Sequence, residues 1–557
     1  MTRLLFAAAI ATGVLAAAPP AEPLKEPRVS SAHPFAGQRG SAFTVTLRGE
    51  SIRDASAVYL DGQALQAKVE RFEVEPPNEA VTRNKRAFDL VIVRIESRAD
   101  APAGSHALRL VTPRGLSNAV SILLTDAPVV AEDPAALEKD GARYMHGRIA
   151  QRGEVDQFPF TVEAGEVVTF ETVSGLPAPG AAGGNANGFD PSISLYEQSG
   201  SWFDPQRLNR LAFNDEPLWV LGQPTDAQLT YRFSKAGKYV LRVEAFSGQG
   251  GPDYSYLLKM RRGSAGEPPP RTSKSSWEER DFTRVLSAER MTQLAERGKA
   301  AKHASIETYG PNTEVKLPAA IEGALAKPGE AHRSRFRLDG PKDIAIEVQT
   351  TGVAPPEFNP IVRLLKGDEE VATNIFTGRG ACTGAMFKSL QAKVIVPLRD
   401  PGEYTLEVRD TTADLGDPGF RYRVLVRQQV PHLGSIRIDE DRVNLKPGEA
   451  KAIRVSFDRE EDYRGAVIVG AESLPPGVSA MAGADFEPDK DPPMTTGKRE
   501  RYTPRTERTV MVFTAAPDAA LTPFPVTATL QVRPLVDGKP GAVIHSKKIP
   551  LMVVAQP

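Results

Sequence analysis

Two carboxylates one residue apart, Glu154 and Asp156, are the first chemistry the chain offers. In an extended segment alternate side chains share a face, so this pair projects together from one edge. Asp190, Asn214, Asp215 and Glu216 follow in stretches that read as loops of the same region. Calcium takes about six to eight hard oxygen ligands from carboxylates and carbonyls. Glu154, Asp156, Asp190, Asn214 and Asp215 are the candidate ligands if the chain holds calcium; no other cofactor is expected. The competing reading has Asp156 capping one turn and Asn214-Asp215 forming another. A second set is aromatic. Trp202, Phe203, Phe213 and Trp219 lie in and beside a long loop running from Gly188 to Pro224. Exposed rings at such a place stack on sugars or anchor a protein, whereas buried ones close the end of a core. Trp202, Phe203 and Trp219 are the expected ligand-binding residues. The expected partner is a protein or polysaccharide of a cell surface or matrix.

Other chemistry is poorly served. The seven histidines, at 33, 106, 146, 303, 332, 432 and 545, form no His-Glu-x-x-His pair. Cys382 is the single cysteine, so neither a Cys-x-x-Cys zinc site nor an intrachain disulfide is available. It sits in the Gly-rich stretch Gly378–Gly384, which supplies no neighbouring base to make it a nucleophile. No Gly-x-Ser-x-Gly elbow and no phosphate-cradling Gly-Lys-Ser/Thr loop appears. The 69 basic and 70 acidic residues nearly cancel, leaving a formal charge of -1. That balance makes no electrostatic case for nucleic acid or an anionic membrane as partner. The chain is expected not to be an enzyme.

The elements that would position these residues are short strands. A chain of 557 residues is too long for one core. Its 46 glycines and 47 prolines fall between short apolar runs, as in a string of β units. Arg3 and the apolar run Leu4 to Ala18 read as a signal peptide over residues 1–18. The expected location is secreted, periplasmic or at the cell surface. Folded units are expected at 27–127, 128–262, 312–429 and 430–557. Residues 263–311 read as a linker with an amphipathic helix, opened by the capping box Ser276-Trp-Glu-Glu279 and closed near Gly298. Asp485 to Glu507, charged and proline-rich, reads as an exposed loop.

The second and third units repeat one another. Gly147-Arg-Ile149 matches Gly323-Ala-Leu325, and Gly153-Glu154 matches Gly329-Glu330. Gly237-Lys-Tyr-Val-Leu-Arg-Val243 matches Gly402-Glu-Tyr-Thr-Leu-Glu-Val408, and Tyr254–Leu258 matches Phe420–Val424. Held turn glycines between alternating strands mark a structural repeat.

Two resemblances follow from these segments. The first unit has Phe43–Leu47, an apolar strand Ala57–Leu60 ending at Asp61-Gly62, and Thr112-Pro-Arg-Gly-Leu-Ser-Asn118 before its last strand. In this it resembles the IPT/TIG immunoglobulin-like domains. The repeated units resemble the bacterial pre-peptidase C-terminal domain, through Gly153-Glu-Val-Asp-Gln-Phe158, Asp190 to Leu195, Asn214-Asp215 and the Gly-x-Tyr-x-Leu-x-Val strand. That family is a β-sandwich often appended to secreted proteases, and some collagen-binding members hold calcium at an acidic pair placed like Glu154 and Asp156. The second copy reads Gly329-Glu-Ala-His-Arg-Ser334 and departs from the acidic pattern. The resemblances imply an all-β chain of tandem β-sandwich units, immunoglobulin-like and jelly-roll-like, with one interdomain helix. The function expected is a non-catalytic binding, adhesion or structural role at the cell envelope or outside the cell. The alternative is an accessory component of a secreted hydrolase or peptidase system.

Overall fold

In the strand Ala331–Leu338, His332, Ser334, Phe336 and Leu338 turn inward and Arg333, Arg335 and Arg337 turn outward. That period of two puts one face of a sheet in a core and leaves the other to solvent or to a neighbour. The same rule shapes the rest of this computed structural model. It describes residues 26–555, except 76–86, 134–142 apart from Leu137, 175–188, 201–206, 215–226, 263–305, 351–359, 380–385, 412–415, 482–504 and a few isolated positions. Among the described residues every regular element is a strand. Among them no helix is long and apolar enough to cross a membrane.

Among the described residues eight sheets form four facing pairs, and a ninth is the two-stranded ladder of Ile375–Arg379 with Met386–Leu390. The first pair sets Arg28–His33, Ala42–Glu50, Phe88–Ser97 and Leu65–Glu75 against Ala36–Gln38, Val120–Thr125, Gly104–Thr112 and Ala57–Leu60. Val45, Leu47, Val91, Val93, Leu108, Leu110 and Ile122 fill the space between. Each such side chain, fully removed from water, contributes about 1.5–3 kcal/mol. The last pair sets His432–Ile438, Ala450–Glu460, Arg505–Ala515 and Val478–Met481 against Val443–Leu445, His545–Val553, Val526–Val536 and Val467–Glu472.

The two middle pairs have one topology. In the first repeat the five-stranded sheet runs Val129–Val130, Tyr144–Arg148, Ser255–Arg262, Val167–Ser174, Gln228–Arg232. In the second it runs Glu307–Tyr309, Ala319–Ala324, Arg421–Gln428, Lys342–Thr350, Lys393–Leu398. The facing sheets run Val155–Val162, Gly237–Ala245, Pro191–Gln198, Leu208–Asn214 and Ala331–Leu338, Gly402–Asp410, Pro360–Lys366, Glu369–Thr373. The repeat read in the sequence is thus a repeat of strand order as well as of residues.

Three stretches differ from the sequence reading. Leu65–Glu75, where charged residues are as many as apolar ones, is an edge strand with Phe72 and Val74 exposed. Such a strand buries one side only weakly, so its apolar signal is thin. Leu208–Asn214 is an edge strand rather than part of a loop, which places Phe213 and Asn214 in a sheet. Arg505–Ala515 takes up the end of the stretch read as a loop, so Glu507 lies in a strand. The signal segment, Cys382 and the helix read at Ser276–Gly298 lie outside the described residues.

Candidate acidic site and its counterpart in the second repeat

Asp156 is the second residue of the edge strand Val155–Val162 and faces inward, 7% exposed. A carboxylate there must find partners. Tyr256 lies on the opposite sheet and donates its hydroxyl to Asp156 Oδ2 at 2.6 Å. Gly147, directly across the ladder from Tyr256, makes room for that ring. A Cβ at 147 would stand 2.2 Å from Tyr256 Cζ. The second carboxylate is Glu132, in the chain that leads into the repeat. It accepts from Arg148 N at 3.0 Å and shares a hydrogen bond with Asp156. Glu154 closes its own turn, accepting from Gln151 N at 2.7 Å.

The electrostatics follow from burial and crowding of like charge. Burial pushes the Asp156 carboxyl up to about 7; the Tyr256 hydrogen bond opposes this, and the negative charges of Glu132 and Glu154 add to it. Burial also raises Glu132 above the usual carboxylate range. The Tyr256 phenol is driven well upward by burial and by Asp156. The group therefore holds a proton near neutral pH, with Tyr256 always the donor.

The second repeat builds the same corner with different chemistry. His332 takes the place of Asp156 and is 6% exposed. Its Nδ1 lies 2.7 Å from the Tyr422 hydroxyl and its Nε2 lies 2.9 Å from Glu330 Oε1. The network assigns the proton to Nε2, donating to Glu330, with Tyr422 donating to Nδ1. Glu330 also closes its turn, accepting from Lys327 N at 3.0 Å. Burial works against ionisation of Glu330, but the His332 and backbone hydrogen bonds hold its carboxyl below the usual value. Gly323 makes room for Tyr422 as Gly147 does for Tyr256; a Cβ there would stand 2.7 Å from the Tyr422 hydroxyl.

Two of the residues read as calcium ligands, Asp156 and Asn214, are held apart. Asp156 pairs with Val243, Val243 with Ile193, and Ile193 with Asn214. Asp156 and Asn214 therefore stand on opposite edge strands, three strand spacings or about 14 Å apart. Asp190 directly precedes Pro191–Gln198, and its carbonyl accepts from Phe246 N at 2.8 Å. Asn214 Oδ1 is buried and accepts no hydrogen bond among the described residues. Among the described residues no three His, Cys, Asp or Glu side chains converge closely enough to hold a metal ion. Asp156 is engaged with Tyr256 and Glu132 while Asn214 lies across the sheet, so these two do not share one ion. Asp215, Trp202, Phe203 and Trp219 lie outside the described residues. Of the aromatic set Phe213 is described; it is 41% exposed on its edge strand, with the Arg210 guanidinium 5.6 Å from its ring centre. Glu132 escaped the sequence reading because it belongs to no strand and to no repeated segment.

No family model matches the chain, and no curated protein matches it. Solved structures do. A pre-peptidase C-terminal domain of collagenase from Bacillus anthracis is 18% identical, covering 23% of this chain and 99% of that one, at a TM-score of 0.14. Domains 4 and 5 of the S-layer protein SbsC are 14% identical, covering 35% and 99%, at a TM-score of 0.15. The N-terminal CBM22-1-CBM22-2 tandem domain of Paenibacillus barcinonensis Xyn10C is 10% identical, covering 71% and 99%, at a TM-score of 0.15. At such scores these likenesses add nothing to what the four sheet pairs themselves display.

Proposed function

We propose that this chain is an exported, non-catalytic protein of paired β-sheets, with a binding or structural role at the cell envelope or outside the cell. The carrying observation is where its buried polar groups point. Asp156, His332, Asn374 and Arg427 each spend their hydrogen bonds on neighbours that hold sheets or units together. A reactive constellation leaves a group poised toward substrate; each of these groups is engaged by a structural neighbour instead. The export reading rests on the first eighteen residues, and the resemblance of the repeats to the pre-peptidase C-terminal family rests on their motifs, which the first copy carries more fully. The ligand class that suits an exposed Phe213 beside Arg210 is a polysaccharide or a protein surface. The test is retention of the purified protein on immobilised polysaccharides and matrix proteins, alongside a panel of glycosidase, peptidase and esterase substrates. Saturable retention without turnover is the expected result. Turnover of any substrate by a homogeneous preparation refutes the reading.

A further inference from the structure

The order of the sheet pairs along the chain is not their order in space. The first pair touches the second: Ser31 Oγ donates to Asp253 Oδ1 at 2.5 Å, Arg48 bonds both Asp253 oxygens at 3.1–3.2 Å, and Ala36 N donates to His146 Nε2 at 3.1 Å. The third touches the fourth: Arg427 donates to Glu461 Oε1 and Oε2 at 2.6 and 2.7 Å. The remaining junction joins the first pair to the last, more than three hundred residues apart. The spatial order is second, first, fourth, third. Residues 263–305 are the covalent link between residues 26–262 and 306–555, and a single cysteine rules out a disulfide across the halves.

The junction between the halves is built for recognition. Leu116 N donates to Asn444 Oδ1 at 2.8 Å and Asn444 Nδ2 donates to Leu116 O at 2.9 Å. One amide thus pairs both backbone groups of one residue, as a neighbouring strand would. Gly115 has φ of +120°, and a Cβ on it would stand 2.5 Å from Asn444 Cγ. Ala119 N donates to Asp441 Oδ2 at 2.6 Å, and Arg109 Nη2 donates to Asp441 O at 3.2 Å. Beside these contacts Val111 and Leu116 of one half close on Met552 and Val554 of the other. Tyr59 packs on Phe524, with ring centres 5.6 Å apart. The segment Thr112–Asn118, which carries the IPT/TIG resemblance, serves both sides: Asn118 holds Val29 of its own sandwich while Leu116 receives Asn444.

We infer that residues 26–262 and 306–555 form an internal complex that holds without the chain between them, with Asn444 and Asp441 reading the backbone of residues 115–119. The partner of each half is the other half of the same molecule. An out-of-register approach would leave Leu116 N and O buried and unpaired, which costs free energy and excludes other surfaces.

The test places a specific protease site within 263–305 of the full chain and follows mass by light scattering before and after complete cleavage. The expected result is one species at the mass of the uncut monomer. Asn444→Ala combined with Asp441→Ala is expected to weaken association of the cut halves at least about tenfold in Kd, with each half keeping its own cooperative melting. Tyr59→Ala, in the other half, is expected to weaken it in the same direction. Separation of the unsubstituted halves on cleavage overturns the inference. So do substituted halves that stay together as tightly as before, or an uncut chain that runs as a dimer by docking onto a second copy.

Discussion

The two repeats share a topology and part company at their polar positions. Inside, Asp156 with Glu132 faces Tyr256 in one copy, and His332 with Glu330 faces Tyr422 in the other. The Tyr and the Gly opposite it are kept because they are a steric pair: one fills the hole the other leaves. The polar partner is free to vary provided it satisfies the phenol. Outside, each repeat lays its five-stranded sheet against an immunoglobulin-like neighbour, but by opposite ends of the face. In the first copy His146 and Leu257, paired across the ladder, are buried against the first sandwich. The matching residues of the second copy, Glu322 and Arg423, form a half-exposed ion pair at 3.2 Å. The second copy docks instead through Glu347, Lys393 and Arg427, which enclose Glu461. One fold therefore supplies two docking surfaces: one mixes apolar contact with the Arg48–Asp253 ion pair and the Ala36–His146 hydrogen bond, and the other is a buried ionic cluster.

The largest effect should come from the ionic surface. Arg427 is 1% exposed and Glu461 is 0% exposed. Burial works against both charges, yet their mutual attraction, with Glu347 and Lys393, holds Arg427 well above and Glu461 well below their usual values. Removing one partner strands the others in a dry site. Arg427→Met should cost about 3–5 kcal/mol, read as a loss in urea midpoint. Arg261→Met at the matching position of the first repeat, half-buried rather than enclosed, should cost less than Arg427→Met in the same assay. Equal losses would show that the two faces are not different.

The steric pair comes next. Gly147→Ala should cost about 2–3 kcal/mol and Gly323→Ala about 1–2 kcal/mol, because the added carbon meets Tyr256 Cζ at 2.2 Å but Tyr422 no nearer than 2.7 Å at its hydroxyl and 2.9 Å at Cζ. Thermal unfolding of both variants checks the order, and a reversed order would break the parallel between the corners.

A smaller effect separates the corners by pH. Folded Asp156 keeps a proton up to about pH 7, while an unfolded aspartate releases it near about 4. Between those values the native state binds more protons, so this group's contribution to stability declines as pH rises from about 4 to about 7. Asp156→Asn keeps an acceptor for Tyr256 and should flatten that slope of melting temperature against pH. An unchanged slope would assign the titration elsewhere. The smallest effect is at the half-exposed pair: Glu322→Gln should change stability by no more than about 0.5 kcal/mol, whereas His146→Gln, under Ala36, should cost more in the same assay.

Much of the fold was legible because strands declare themselves by alternation. Phe43–Leu47, Ala57–Leu60, Phe88–Val93 and Gly237–Val243 all lie in strands, and the repeat matched residue for residue. Leu65–Glu75 and Leu208–Asn214 were missed because edge strands bury too little to keep a clean pattern. The acidic corner was half legible. Asp156 stands in a motif, but Glu132 is defined only by where the chain returns. Asn214 was grouped with Asp156 as an oxygen donor in a loop of the same unit, and the register of three ladders separates them. Asn444 and Asp441 carry no local signal at all, since their partners lie over three hundred positions away.

Glu26 reaches across to Lys451 at 2.6 Å, and Val554 packs against Leu116, so both ends of the described chain meet at one seam. Tension applied between Glu26 and Val554 would load that seam first and leave both repeats slack. Only after it parted would the load run through the repeats and the segment joining them. The seam would then act as a mechanical fuse, yielding length in a single step while the sandwiches stay folded.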